Sequence, residues 1–177
     1  MFLKRRELLL FAALILIVTG IGAYYYFPRG LNFVPKGTYE KADRVLLEKR
    51  ERRLTLFKNG TILKIYKIVL GRNPEGKKTE EGDNRTPEGH YIIDGRNGRS
   101  KFHLSLHISY PNKDDIAQAN KRGVEPGGDI MIHGMPNGIL GKTLNYDWTA
   151  GCAAVTNAQI EEIWEMVPNG TPIEIRP

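Results

Sequence analysis

The hydrophobic pattern divides the chain into two unlike parts. Residues Leu8 to Phe27 form one apolar stretch, broken only by Thr19, glycines and the trio Tyr24, Tyr25 and Tyr26. A helix of that length spans about 30 Å of hydrocarbon. Lys4, Arg5 and Arg6 precede it, so the positive-inside rule places the N-terminus in the cytoplasm and everything after Phe27 outside, with the tyrosines at the interface. A cleaved signal peptide is the competing reading. The nearest small-residue site, Gly20-Ile21-Gly22-Ala23, runs into bulky tyrosines, which favours an uncleaved anchor. Both readings export the rest of the chain. Residues 28–41, with Pro28, Gly30, Pro35 and Gly37, read as a linker.

From residue 42 onwards short apolar runs and alternation with period two predict strands. Arg44–Glu48 and Arg53–Phe57 come first. Asn59-Gly60 is a type I′ hairpin signal, because both residues tolerate positive φ. Thr61–Leu70 is the next strand and stops at Gly71. Residues Arg72 to Arg85 make a polar loop without periodicity, long enough to act as a lid or binding segment or to be a plain mobile tip. The turn Thr86-Pro87-Glu88-Gly89 feeds a strand at His90–Ile93. Phe102–Ser109 alternates, with Phe102, Leu104, Leu106 and Ile108 on one face and His103, Ser105, His107 and Ser109 on the other. Asp114 or Asp115 caps a short helix through Ala119, which Gly123 stops. Asp129–His133 is a strand, and Ala153–Val155 is short and apolar. Thr156 to Gln159 has the capping-box pattern, and Ile160, Ile163, Trp164 and Val167 share one face of the helix it opens. Pro168-Asn169-Gly170 ends that helix, and Thr171–Ile175 closes the chain as a strand. The expected fold is mainly β, a sandwich or barrel with one or two short helices, preceded by a transmembrane helix.

At 177 residues there is room for one ordinary domain and an appendage. The chain carries 26 basic and 20 acidic side chains; without residues 1–27, which hold three basic and one acidic group, the net charge is +4. Such a mild surplus on an exported domain argues against a nucleic-acid partner. The single cysteine, Cys152, makes no internal disulfide and is therefore either a reactive thiol or an inert buried one. Its neighbours Ala150, Gly151, Ala153 and Ala154 are all small, and His133 ends a predicted strand. A thiol attacks as thiolate, and a nearby imidazole supplies the base. His103 and His107, on one face of a strand, stand about 13 Å apart, too far to hold one metal together. No cofactor and no metal is expected.

These residues resemble a known family. His133-Gly134, succeeded at a distance by Thr149-Ala150-Gly151-Cys152, is similar to the signature of L,D-transpeptidase (YkuD-type) catalytic domains. Upstream, Gly71, a variable loop and Arg85-Thr86-Pro87-Glu88-Gly89-His90-Tyr91-Ile92 resemble the family's Thr-Pro-x-Gly segment. The resemblance implies a β-sandwich over residues 42–177 and an exported enzyme acting on peptidoglycan stem peptides, held to the membrane by its N-terminal helix, with the domain in the periplasm or cell envelope. It implies Cys152 as nucleophile and His133 as its base. The Gly134 carbonyl would orient the imidazole, the Gly151 and Cys152 amides would form the oxyanion hole, and Thr149 would bond within the turn. Many members carry Arg or Asn where this chain has Ala154, so a substrate contact must move. Arg85, Asn157 and the His103/His107 face are the candidates. The acceptor is an amine in transpeptidation, or water in a carboxypeptidase or amidase. A non-catalytic wall-binding module is the alternative outside enzymes.

Overall fold

The computed structural model describes residues 39–138 and 145–177. The expected membrane segment and nearly all of the 28–41 linker lie outside the described residues. Among those that are described, no helix is long and apolar enough to cross a membrane.

Val45, Leu46 and Leu47 are consecutive and all buried, so both faces of β1 (Arg44–Glu48) are covered. It pairs antiparallel with β2 (Arg53–Lys58) on one side and parallel with β8 (Pro172–Arg176) on the other. A strand covered on both faces loses alternation and reads as an apolar run. The β2–β3 hairpin turns at Asn59 and Gly60, with φ of 50° and 77° as a type I′ turn demands. β3 (Thr61–Lys67) ends before the expected Leu70. The chain beyond it leaves β2 and crosses to the far end of the sheet, where Val69 bridges Ala154 and Gly71 bridges Thr149.

β4 (Gly89–Ser100) is much longer than the expected His90–Ile93. Its first part pairs with β8 and its second with β5 (His103–Ile108), with an irregular register where it passes from one to the other. Asp94 to Arg99 lack apolar alternation; they are strand because β5 supplies partners for Gly95, Arg96 and Asn97. β5 then pairs antiparallel with β6 (Met131–His133), and β6 parallel with β7 (Ala153–Ala154). The result is an eight-stranded sheet in the order β3-β2-β1-β8-β4-β5-β6-β7, whose two ends are brought together by the Val69 and Gly71 bridges.

α1 (Lys113–Arg122) is capped by Asn112, not by Asp114 or Asp115. The Asn112 side chain accepts from the N–H groups of both aspartates, 3.0 Å each, and Asp115 reaches back to the Asn112 N–H. Asparagine fits because the cap must be extended while its short side chain reaches two orphan donors. Gly123 closes the helix in a left-handed conformation. α2 (Asn157–Met166) carries the expected Thr156–Gln159 capping box and buries Ile160, Ile163 and Met166. The Arg96 guanidinium lies 4.0 Å from the centre of its Trp164 ring.

The 72–85 loop is held by charge rather than by apolar packing. Asp83 accepts from the N–H groups of Thr79 and Arg85 and from the Lys78 ammonium. Burial pushes its carboxyl upward, but those donors outweigh it and hold it below the ordinary range. Lys49, almost fully buried just past the end of β1, donates to Glu88 at 2.6 Å and to the carbonyls of Gly76 and Thr86.

Candidate active site

His133 ends β6, and the chain turns away from the sheet at Gly134. The Gly134 N–H is shared between the carbonyls of Phe102 and Leu104 at 3.0 and 3.2 Å. A Cβ at Gly134 would stand 2.7 Å from Asn157 Oδ1, so only glycine lets the turn sit against the start of α2. That same Asn157 oxygen accepts the Met135 N–H at 2.8 Å. Held from both sides, the Gly134 carbonyl lies 2.7 Å from His133 Nδ1. A carbonyl only accepts, so Nδ1 carries the proton and Nε2 is left with the lone pair. The imidazole is 3% exposed, tilted against Phe102 at 4.5 Å and edge-on to Trp148 at 5.6 Å. Burial lowers its pKa below the ordinary histidine value, and the Gly134 carbonyl opposes this only partly.

The cysteine sits on a clamped turn. The Thr149 hydroxyl donates to the Cys152 carbonyl at 2.7 Å and accepts the Gly151 N–H at 3.1 Å. Gly151 has φ of +128°, and a Cβ there would meet the Arg85 carbonyl at 2.6 Å, so both conformation and space require glycine. Backbone bonds tie Thr149 to Leu70 and Arg72. Two residues upstream, Asp147 takes a forked ion pair from Arg52, with 2.6 Å to Nη2, and also accepts the Leu70 N–H. The β6–β7 register sets His133 beside Ala154 and Ile132 beside Ala153. Cys152, one residue ahead of β7, is therefore next to the strand that bears the histidine. Its thiol donates to the Asp129 carbonyl at 3.5 Å. Burial raises the thiol pKa, with the Asp129 carboxylate adding to the effect; the Met131 N–H and the Lys78 charge act the other way.

Both shifts favour the uncharged forms, so at neutral pH the pair rests as thiol and neutral imidazole. A standing thiolate–imidazolium pair, the simplest way to a reactive sulfur, is not what this environment stabilises. An imidazole in this state can serve a neighbouring thiol only as a general base. A base works only when unprotonated, and a lowered pKa keeps it unprotonated further into acid. The acid limb of a pH–rate profile should therefore fall at a midpoint below about 6.5, the ordinary histidine value. A midpoint above that, in single-turnover acylation across pH 4 to 9, would contradict a buried base.

The other expected site residues fall into two groups. Gly134 holds His133 through its carbonyl, and Thr149 and Gly151 form the turn that carries Cys152. The Gly151 N–H, however, is bound to the Thr149 hydroxyl rather than free for an oxyanion. Asn157 spends its oxygen on Met135, so it positions the histidine loop. The Arg85 guanidinium lies against Gly76, and what Arg85 brings to the cysteine turn is its backbone carbonyl. His103 is bound to Glu161 at 2.6 Å and His107 to Asp94 at 2.5 Å. Sequence reasoning missed Arg52, Asp147, Lys78 and Trp148. Of these only Trp148, an aromatic beside Thr149, could have been noticed from its position.

Fold and site together define a β-rich domain in which a lone cysteine turn abuts the strand of a buried, carbonyl-anchored histidine. The family model of the L,D-transpeptidase catalytic domain, YkuD, matches residues 42–175, and the chain belongs to that family. It is 34% identical over 125 residues to YafK of Escherichia coli K12, a putative L,D-transpeptidase by name, covering 67% of this chain and 44% of that protein. Among solved structures it resembles the helical cell shape determining protein Pgp2 of Campylobacter jejuni, with a TM-score of 0.60 and 27% identity over 77% of this chain and 48% of that one. Bd1075 of Bdellovibrio bacteriovorus gives a TM-score of 0.55 and 26% identity, covering 77% of this chain and 48% of the other. The chain thus spans about half the length of these relatives.

Proposed function

We propose that this protein is an exported cysteine acyltransferase that acts on peptidoglycan stem peptides through an acyl-thioester, in wall crosslinking or remodelling. Residues 1–27 anchor it, 28–41 space it from the membrane, and 42–177 carry the chemistry outside the cytoplasm. The observation that carries the reading is the His133 Nδ1 bond to the Gly134 carbonyl, on a strand in register with the segment just after Cys152. It leaves the lone pair on Nε2, on the strand next to the segment that follows the single cysteine. Pgp2 is described as a cell shape determining protein, and a wall-remodelling role of that kind fits the same chemistry.

In this mechanism the thiol leaves the Asp129 carbonyl for His133 Nε2. As Sγ bonds to the peptide carbonyl carbon, Nε2 takes the thiol proton, and the carbonyl electron pair moves onto oxygen. The Cys152 N–H is the donor for that oxyanion, because the Gly151 N–H is engaged. Collapse of the intermediate breaks the C–N bond, and the imidazolium returns its proton to the departing amine. An acceptor amine, or water, then gives its proton to Nε2 as it bonds to the acyl carbon; the C–S bond breaks, and the imidazolium returns that proton to Sγ. Intact-mass spectrometry of the full chain incubated with a tetrapeptide stem should find an acyl adduct on the wild type and no thioester on Cys152→Ser. An unmodified wild type, with Cys152 still alkylated by iodoacetamide, would leave the non-catalytic alternative standing.

A further inference from the structure

A cavity of about 280 Å³ lies between the 77–79 segment, Tyr110 and α1, with Lys77, Lys78, Asp115 and Arg122 among its lining residues. It has room for several waters, at about 30 Å³ each, or for a small polar group. Three of its charged residues are cationic and one is a carboxylate. That carboxylate, Asp115, accepts from the Tyr91 hydroxyl at 2.9 Å and from the Asn112 N–H on Oδ2, while Oδ1 lies 2.7 Å from the Lys77 ammonium but has no hydrogen-bond partner among the described residues. Lys78 is the unusual member. Its side chain is 3% exposed, and its ammonium donates to the Glu80 carbonyl and to Asp83 Oδ1 at 2.8 and 2.9 Å. An ammonium has three N–H donors, and among the described residues the third meets no acceptor; the Tyr110 ring centre lies 6.0 Å from Nζ. Arg122 donates to the Thr79 carbonyl, which uses only part of its five-donor fork.

The Asp83 carboxylate pairs with Lys78, as a buried lysine requires, and leaves one buried N–H still to be satisfied. The Lys78 charge makes a small contribution in favour of the Cys152 thiolate. We propose that this cavity is a carboxylate-binding subsite: Lys78, with Arg122 at the rim, holds a free carboxylate of the stem peptide, away from the bond that Cys152 attacks. The inference rests on the acyltransferase reading for its ligand and adds the part of the peptide that is recognised. An anion drawn onto Lys78 completes its donor set and sets the peptide's register relative to the sulfur.

The test is calorimetric titration of the full-length Cys152→Ala chain with the tetrapeptide stem and with derivatives in which one carboxylate at a time is converted to an amide. Amidation at one position should weaken binding roughly tenfold, the loss of one charge-assisted hydrogen bond. The same amidation should change affinity less than about twofold in Arg122→Ala and in Lys78→Met, because the two losses are one interaction. Arg122→Ala is on the surface and keeps the comparison interpretable if removing Lys78 disturbs the loop. The proposal is overturned if every amide binds as well as the acid, if the amide penalty persists in either variant, or if the peptide does not bind. Acyl-transfer chemistry is read separately, from the wild-type adduct, so its failure and failure of the subsite are distinguishable.

Discussion

Replacing His133 by alanine should slow formation of the acyl-enzyme by roughly a thousandfold at neutral pH, the contribution expected of one positioned general base. The size of the effect stems from the resting state. Burial holds the thiol protonated and the imidazole neutral, so no thiolate is kept in reserve to attack without help. The loss should be confined to conditions in which the sulfur needs a base. At a pH above its raised pKa the thiol ionises unaided, and iodoacetamide should then alkylate His133→Ala and wild type at similar rates. Equal acylation of the two proteins by stem peptide at pH 7, measured by mass spectrometry, would remove His133 from the mechanism. Equal loss at both pH values would instead mean that the substitution had distorted the cysteine turn.

Gly71→Ala is expected to damage both stability and activity, although Gly71 has no left-handed backbone. A Cβ there would stand 2.0 Å from the Asn84 carbonyl oxygen and 3.0 Å from the Gly151 Cα. All of these are backbone atoms, so no rotamer relieves the clash. Either the 72–85 loop or the cysteine turn must move. A cost of about 3 kcal/mol, at the upper end for overpacking, corresponds to a melting temperature lower by about 10 °C for a domain of this size. Displacement of Gly151 should also reduce acylation well beyond what the remaining folded fraction explains, because misplacement by about 1 Å can cost a hundredfold. Thermal melting measured by circular dichroism, beside adduct formation at 20 °C, checks both parts. A variant melting within about 2 °C of wild type would show that the three backbones are not packed as described.

These two positions show what kind of information each level carries. His133 and Cys152 stood out from the sequence because their chemistry is intrinsic to the residue types and because small residues surround the thiol. The Asn59-Gly60 hairpin, the Thr156–Gln159 capping box and the apolar face of α2 were equally legible, since each depends on residues within one or two turns of one another. Asn112 was passed over for its acidic neighbours because either aspartate can cap in isolation. The second half of β4 was invisible, because Asp94 to Arg99 become a strand only through pairing with β5. The 72–85 loop looked unstructured because an ion pair and three backbone bonds to Asp83 hold it together without any hydrophobic pattern.

By itself the sequence determined the alternation of short strands, the two helices, the exportable N-terminal stretch as an expectation, and the identity of a candidate nucleophile and base. Those are properties of local periodicity and of side-chain chemistry. Only the tertiary structure decided which backbone groups surround that pair: the Gly134 carbonyl on Nδ1, the Thr149 hydroxyl on the Gly151 N–H, and Asp147 tethered by Arg52. It also decided that the pair rests uncharged. Desolvation and close backbone approach arise from elements far apart along the chain, and no spacing of residues encodes how deeply folding will bury them.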